Sequence, residues 1–225
     1  MPQLQSKLPH PLRKLLDEEG VHNLEHPQLP WTADQVSDDL LNMMGRSVPR
    51  TQIARVVPPS VADARSELRG SPAALTDLHA QAGTLLGSTS ALSARLHALR
   101  GYPIVLNVWA SWCAPCRQEF PYLATASARY GRQIAFLGAA VSDPTGDARS
   151  FLQSHAVSYP SYSSSLSALA PLKLYPNGPP QTVFINRRGK VVFVHDGEYQ
   201  SLDALENDIG QYSLGVKPAD RPDSK

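Results

Sequence analysis

The stretch IVLNVWASWCAPCRQEFP, residues 104–121, holds both of the chain's cysteines and joins two unlike patterns. Ile104 to Trp109 is a short apolar run rich in β-branched and aromatic types, the pattern of a buried central strand. The polar-apolar stretch that follows, to Tyr130, reads as a helix stopped by Gly131. Cys113 and Cys116 therefore fall at a strand-to-helix junction. Unpaired backbone N–H groups and the helix dipole favour negative charge there. The first thiolate is thus more available than that of a free cysteine near pKa ~8.5. The second cysteine lies one helical turn further in, placed to attack a mixed disulfide from within. Pro115 takes an early helical position, where a missing N–H costs little.

Working outward, Ile134 to Val141 predicts another buried strand and Asp147 to His155 a helix, with a short extended piece near Val157–Tyr159. Thr182 to Asn186 and Lys190 to His195 predict a hairpin turned by Arg187-Arg188-Gly189. Ser201 to Tyr212 predicts a closing amphipathic helix. From Ile104 the order is β-α-β-α-β-β-α. Upstream, Ser71-Pro72 predicts a helix start with serine as cap and proline in the first helical position. Its apolar stripe is Leu75, Leu78, Ala82, Leu85 and Leu86, and a second helical piece spans Leu92 to Leu99. Residues 1–70 are expected to be a loosely structured, proline-containing extension, mobile or weakly docked, with helical pieces over Leu12–Glu19 and from Thr32. Residues 71–213 form the domain, and 214–225 a disordered tail.

The totals narrow the chemistry. The chain has 225 residues, a formal net charge of +1 and only two cysteines. The charge gives no pull toward nucleic acid or anionic membrane. Two cysteines separated by two residues cannot close a loop long enough to stabilise a fold much, so the pair reads as chemistry rather than scaffolding. Zinc needs four ligands, and no second cysteine pair or histidine cluster is present. Covalent haem attachment needs a histidine after the second cysteine, where Arg117 stands. No metal and no organic cofactor is expected. No segment approaches the ~20 apolar residues of a membrane span, and the first residues lack the apolar core of a signal peptide. As written, the chain is expected to be cytoplasmic and monomeric.

Residues 107–121 resemble the active-site segment of the TlpA/ResA-like thioredoxins, and the wider likeness covers roughly Ser71 to Tyr212. The resemblance implies an α/β thioredoxin-like fold, a central mixed β-sheet flanked by helices. It implies that Cys113 is the exposed nucleophile and Cys116 the resolving residue. Pro121 matches the proline that kinks the active-site helix. Pro180 matches the cis-proline that faces the cysteines and helps hold the substrate chain, and Trp112, Pro115 and Pro179 are the other expected substrate-binding residues. Pro179 stands where β-branched or aliphatic residues are commoner. Asn107 replaces the buried aspartate of ordinary thioredoxins and so removes one candidate proton shuttle. Glu119 occupies the position where this branch often carries a carboxylate near the cysteines. The branch is usually anchored outside the cytoplasm, which is the alternative location if Met1 is not the true start.

The expected function is protein-disulfide reduction by mixed-disulfide exchange, contributing to redox homeostasis. Its partners would be disulfide-containing proteins and an upstream thiol donor. A thiol oxidase or isomerase on the same fold is the first alternative, because the motif does not set redox direction. A partner-binding module with vestigial thiols is the second. A peroxiredoxin-type peroxidase is disfavoured, since Ala110 stands where a Thr or Ser would precede the nucleophile. Trp109 reads as core, whereas Trp112 reads as exposed. His155 and His195 read as surface or packing residues without partners.

Overall fold

The computed structural model describes residues 56–216. The helices expected over Leu12–Glu19 and from Thr32, and most of the tail, lie outside the described residues. Chain order runs α1 (Val61–Glu67), α2 (Ala73–His79), β1 (Leu85–Leu86), α3 (Thr89–Ala98), β2 (Ile104–Trp109), α4 (Ala114–Tyr130), β3 (Ala135–Val141), α5 (Thr145–Ser154) and β4 (Ser161–Ser164). A 3-10 turn (Ser167–Leu172) leads to β5 (Gln181–Ile185), β6 (Val191–Asp196), α6 (Leu202–Asp208) and a π-helical turn (Ile209–Leu214).

The strands form one mixed sheet in the order β1-β4-β3-β2-β5-β6. β2 lies at its centre, parallel to β3 and antiparallel to β5. All six residues of β2 are buried because helices cover both faces. Val105 and Trp109 enter a core with Phe120, Phe151, Phe184 and Leu205. Leu106 and Val108 enter the opposite core with Leu75, Leu78, Leu92 and Leu137. That alternation is the two-residue period of a strand. The result is the α/β, thioredoxin-like architecture expected.

Two glycines act through close approach. A Cβ on Gly138 would lie 2.1 Å from Ser161 Oγ and 2.9 Å from Trp109 Nε1. One on Gly131 would lie 2.4 Å from Ser127 O and 2.6 Å from Leu68 Cδ2. Gly131 thus ends α4 in ordinary right-handed geometry, and what it admits is a neighbouring segment.

Several local expectations are corrected. The helix after Ser71 stops at His79, and Leu85-Leu86 form strand β1 instead of extending its stripe. Gly83 turns the chain at φ +67 and donates its N–H to Tyr159 O, which delivers β1 alongside β4. Ser71 Oγ does not cap that helix; it donates to Leu68 O at 2.7 Å. The extended piece near Val157–Tyr159 precedes the actual strand β4, so β1 and β4 are added to the expected order. The closing helix is regular only to Asp208. The boundary expected at Ser71 does not mark the first ordered element, since α1 precedes it with Ala64 and Leu68 buried. No helix among the described residues is long and apolar enough to cross a membrane.

Helix α6 begins at Ser201, whose Oγ accepts from Ala204 N at 3.2 Å. Ser201→Ala is expected to lower unfolding free energy by about 1 kcal/mol, read by urea denaturation.

Candidate active site

Cys113 is the cap residue of α4, at φ −80 and ψ 106, so the chain is extended until the nucleophile and helical immediately after it. Its Sγ accepts from Cys116 N at 3.1 Å. The two sulfurs are joined in a disulfide, with Cα atoms 5.3 Å apart. Cys113 is buried, only 4% exposed, and Cys116 wholly so; the exposure that the resemblance implied for the nucleophile is not found in the disulfide form, where its sulfur is bonded to Cys116. On reduction, Cys113 Sγ has a helix N–H directed at it, an arrangement that favours thiolate. Pro115 sits in the first turn of α4, where no N–H is required.

The turn before Cys113 is braced from β3. Trp109 pairs with Ala140, so the carboxyl ends of β2 and β3 lie side by side. Asp143, just beyond β3, accepts from Ser111 N at 2.5 Å and from Ser111 Oγ at 2.6 Å. Trp112 Nε1 donates to Ser142 O at 3.2 Å, while the residue remains 58% exposed beside the nucleophile. Arg117 Nη2 donates to Ser111 O at 2.7 Å, closing the turn from the helix side.

Pro180 arrives from the other neighbour of β2. Gln181 pairs with Val108, so Pro180 lies level with Trp109, just before the turn to the cysteines. Pro180 is buried, and the Pro179–Pro180 peptide is cis. The fully buried Gln181 side chain holds the preceding loop. Its Oε1 accepts from Tyr175 N at 2.8 Å, and its Nε2 donates to Tyr175 O at 2.9 Å and Gly178 O at 2.8 Å.

Glu119 is fully buried on α4, one turn beyond Cys116. Oε1 accepts from Asn107 Nδ2 at 2.9 Å, and Oε2 from the backbone N–H of Tyr199 at 3.1 Å. Burial pushes the carboxyl up to about 8; the Tyr199 and Asn107 bonds oppose that rise, and Glu198 adds to it. Asn107 is therefore more than a lost aspartate, because it positions the carboxyl that remains.

Trp112, Pro115, Cys113, Cys116, Pro180 and Glu119 thus gather around the end of β2 and the start of α4. Sequence reading missed Asp143, Gln181 and Tyr199. Asp143 carried a faint signal, a carboxylate immediately after a buried strand; Tyr199 carried none. His195 does have a partner, with Nδ1 3.4 Å from Asp208 Oδ2. His155 stacks on Phe151 with ring centroids 4.0 Å apart.

The Redoxin family matches residues 77–209. The thiol-disulfide oxidoreductase ResA of Bacillus subtilis is 30% identical over 138 residues, covering 60% of this chain and 73% of that protein. The thiol:disulfide interchange protein DsbE homolog of Paracoccus denitrificans is 32% identical over 93 residues, 41% of this chain and 50% of that one. Among solved structures, a secreted Mycobacterium tuberculosis disulfide oxidoreductase homologous to E. coli DsbE is 25% identical, covering 51% of this chain and 85% of that one at a TM-score of 0.45.

Proposed function

This chain belongs to the Redoxin family and is a thiol–disulfide oxidoreductase of the ResA/DsbE kind, and from that premise we propose that it reduces disulfides in partner proteins through Cys113 and Cys116. The observation that carries the reading is the Cys113–Cys116 pair at the start of α4, with the buried Glu119 carboxyl one helical turn further along the same helix.

In the reduced protein, Cys113 thiolate attacks one sulfur of a substrate disulfide. The substrate S–S bond breaks, a mixed disulfide forms, and the released substrate thiolate takes a proton from solvent. Cys116 then gives its proton to the Glu119 carboxylate and attacks Cys113 Sγ. The second substrate sulfur leaves and is protonated in turn. Two electrons pass from the dithiol to the substrate, leaving the Cys113–Cys116 disulfide for an upstream thiol donor to reduce. The Glu119 proton returns to Cys116 at that stage. Exposed Trp112 and the cis Pro179–Pro180 segment flank the nucleophile as the surface for the substrate chain.

Glu119 suits this role because a carboxyl near pKa 8 exchanges its proton close to neutrality. Glu119→Gln keeps the shape and removes the titration. It is expected to slow reduction of a model protein disulfide by roughly 10- to 100-fold and to change the pH–rate profile. Profiles that overlay between pH 5 and 9 would reduce Glu119 to a packing residue.

A further inference from the structure

Glu119 is gripped from two sides, and the two grips differ in kind. Asn107 belongs to the central strand and is fixed by pairing on both edges. Tyr199 lies in the connection between β6 and α6, where strand pairing does not set its place. Its own side chain does. The ring stacks on the His195 ring with centroids 3.8 Å apart and planes 13° apart. The hydroxyl donates to Asp208 Oδ2 at 2.8 Å, and the same oxygen faces His195 Nδ1 at 3.4 Å. His195 and Asp208 are partly exposed, whereas Tyr199 is 2% exposed. One residue therefore touches a surface pair with its phenol and a buried carboxyl with its N–H.

We infer that Tyr199, clasped by His195 and Asp208, is a positioning residue that sets how tightly Glu119 holds its proton. Its bearing on the resolving step rests on the proton-carrying role proposed above for Glu119. The physical reason is direct. An N–H donated to a carboxylate favours the ionised form, and burial favours the neutral one. Loosening the clasp withdraws a donor and leaves burial less opposed, so the proton is held more tightly. Glu198 and Tyr159 are the other titratable groups whose charge bears on Glu119, and both remain in place. Asp208 and Tyr212 bear on Tyr199, whose phenol burial already pushes well up.

The test uses the oxidised full-length protein, in which neither sulfur carries a proton. The Glu119 carboxyl is followed by NMR in protein labelled with carboxyl-¹³C glutamate, its signal assigned by its loss in Glu119→Gln. Tyr199→Phe keeps the ring and removes the hydroxyl; Asp208→Ala removes the acceptor; Asp208→Asn keeps an acceptor without the charge. The first two are expected to raise the Glu119 midpoint by about half a pH unit or more, roughly a threefold tighter proton, while Asp208→Asn stays close to wild type. An unchanged midpoint in folded Tyr199→Phe and Asp208→Ala overturns the inference. So does an equal rise in Asp208→Asn, which keeps an acceptor for the Tyr199 hydroxyl and whose lost negative charge would by itself lower the midpoint. If Tyr199→Phe does not fold, the two Asp208 variants decide the matter alone. Because the readout is a titration rather than turnover, an idle Glu119 in catalysis would appear in the pH–rate profile and leave this midpoint shift unaffected.

Discussion

Cys113→Ser is expected to lose disulfide-reductase activity by on the order of a thousandfold or more, because a serine hydroxyl at neutral pH is neither ionised nor able to form the mixed disulfide. Cys116→Ser is expected to fail differently. Attack by Cys113 still occurs and resolution does not, so covalent complexes with partner proteins accumulate. Denaturing, non-reducing electrophoresis separates the outcomes: a ladder of mixed disulfides for Cys116→Ser and far fewer for Cys113→Ser. Equal trapping by both variants would reverse or erase the assignment of roles.

The second large effect concerns stability against pH. Glu119 is raised by burial to about 8, well above its value in an unfolded chain. The folded state therefore binds this proton more tightly than the unfolded state does. The contribution is fully present below the unfolded pKa and is lost as pH rises through about 8. Integrated over that window, the oxidised wild type should lose on the order of 4 kcal/mol relative to Glu119→Gln. Paired denaturant titrations at pH 4.5, 6, 7 and 8.5 measure the difference directly, and other titrating groups such as His79, lowered by burial, cancel between the two proteins. A difference that stays flat with pH would mean that the carboxyl ionises freely in the folded state.

What the sequence made legible follows from how local each feature is. Strand β2 was expected at Ile104–Trp109 and is found there, because a run buried on both faces needs no context to be recognised. The helix to Tyr130 was equally plain. Strand β4 was misplaced because Ser161-Tyr-Ser-Ser164 is a strand by position and not by composition. It is recruited between β1 and β3, whose edges supply its hydrogen bonds. β1 was absorbed into a helical stripe for the same reason, two leucines at a spacing that suits either structure.

The site divides along the same line. Cys113, Cys116 and Glu119 lie within seven positions, and their common helix was readable. The partners of Glu119 were not, since Asn107 reaches it from β2 across the core and Tyr199 from 80 residues away. Asn107 was read as the loss of a titrating group, whereas in the fold it is a donor to another. His195 seemed partnerless because Asp208 stands one helix further along the chain.

The bracing of the Ser111–Trp112 turn from Ser142 and Asp143 has a consequence for evolution and engineering. Every tether outside α4 grips the chain before the first sulfur, and Ala114, between the sulfurs, is exposed. The dipeptide Ala114-Pro115 is thus a replaceable cassette between a fixed abutment and a continuous helix. Substitution of Ala114 leaves all three of these braces in place, so the turn that presents the first sulfur keeps its shape when the exposed residue between the sulfurs changes.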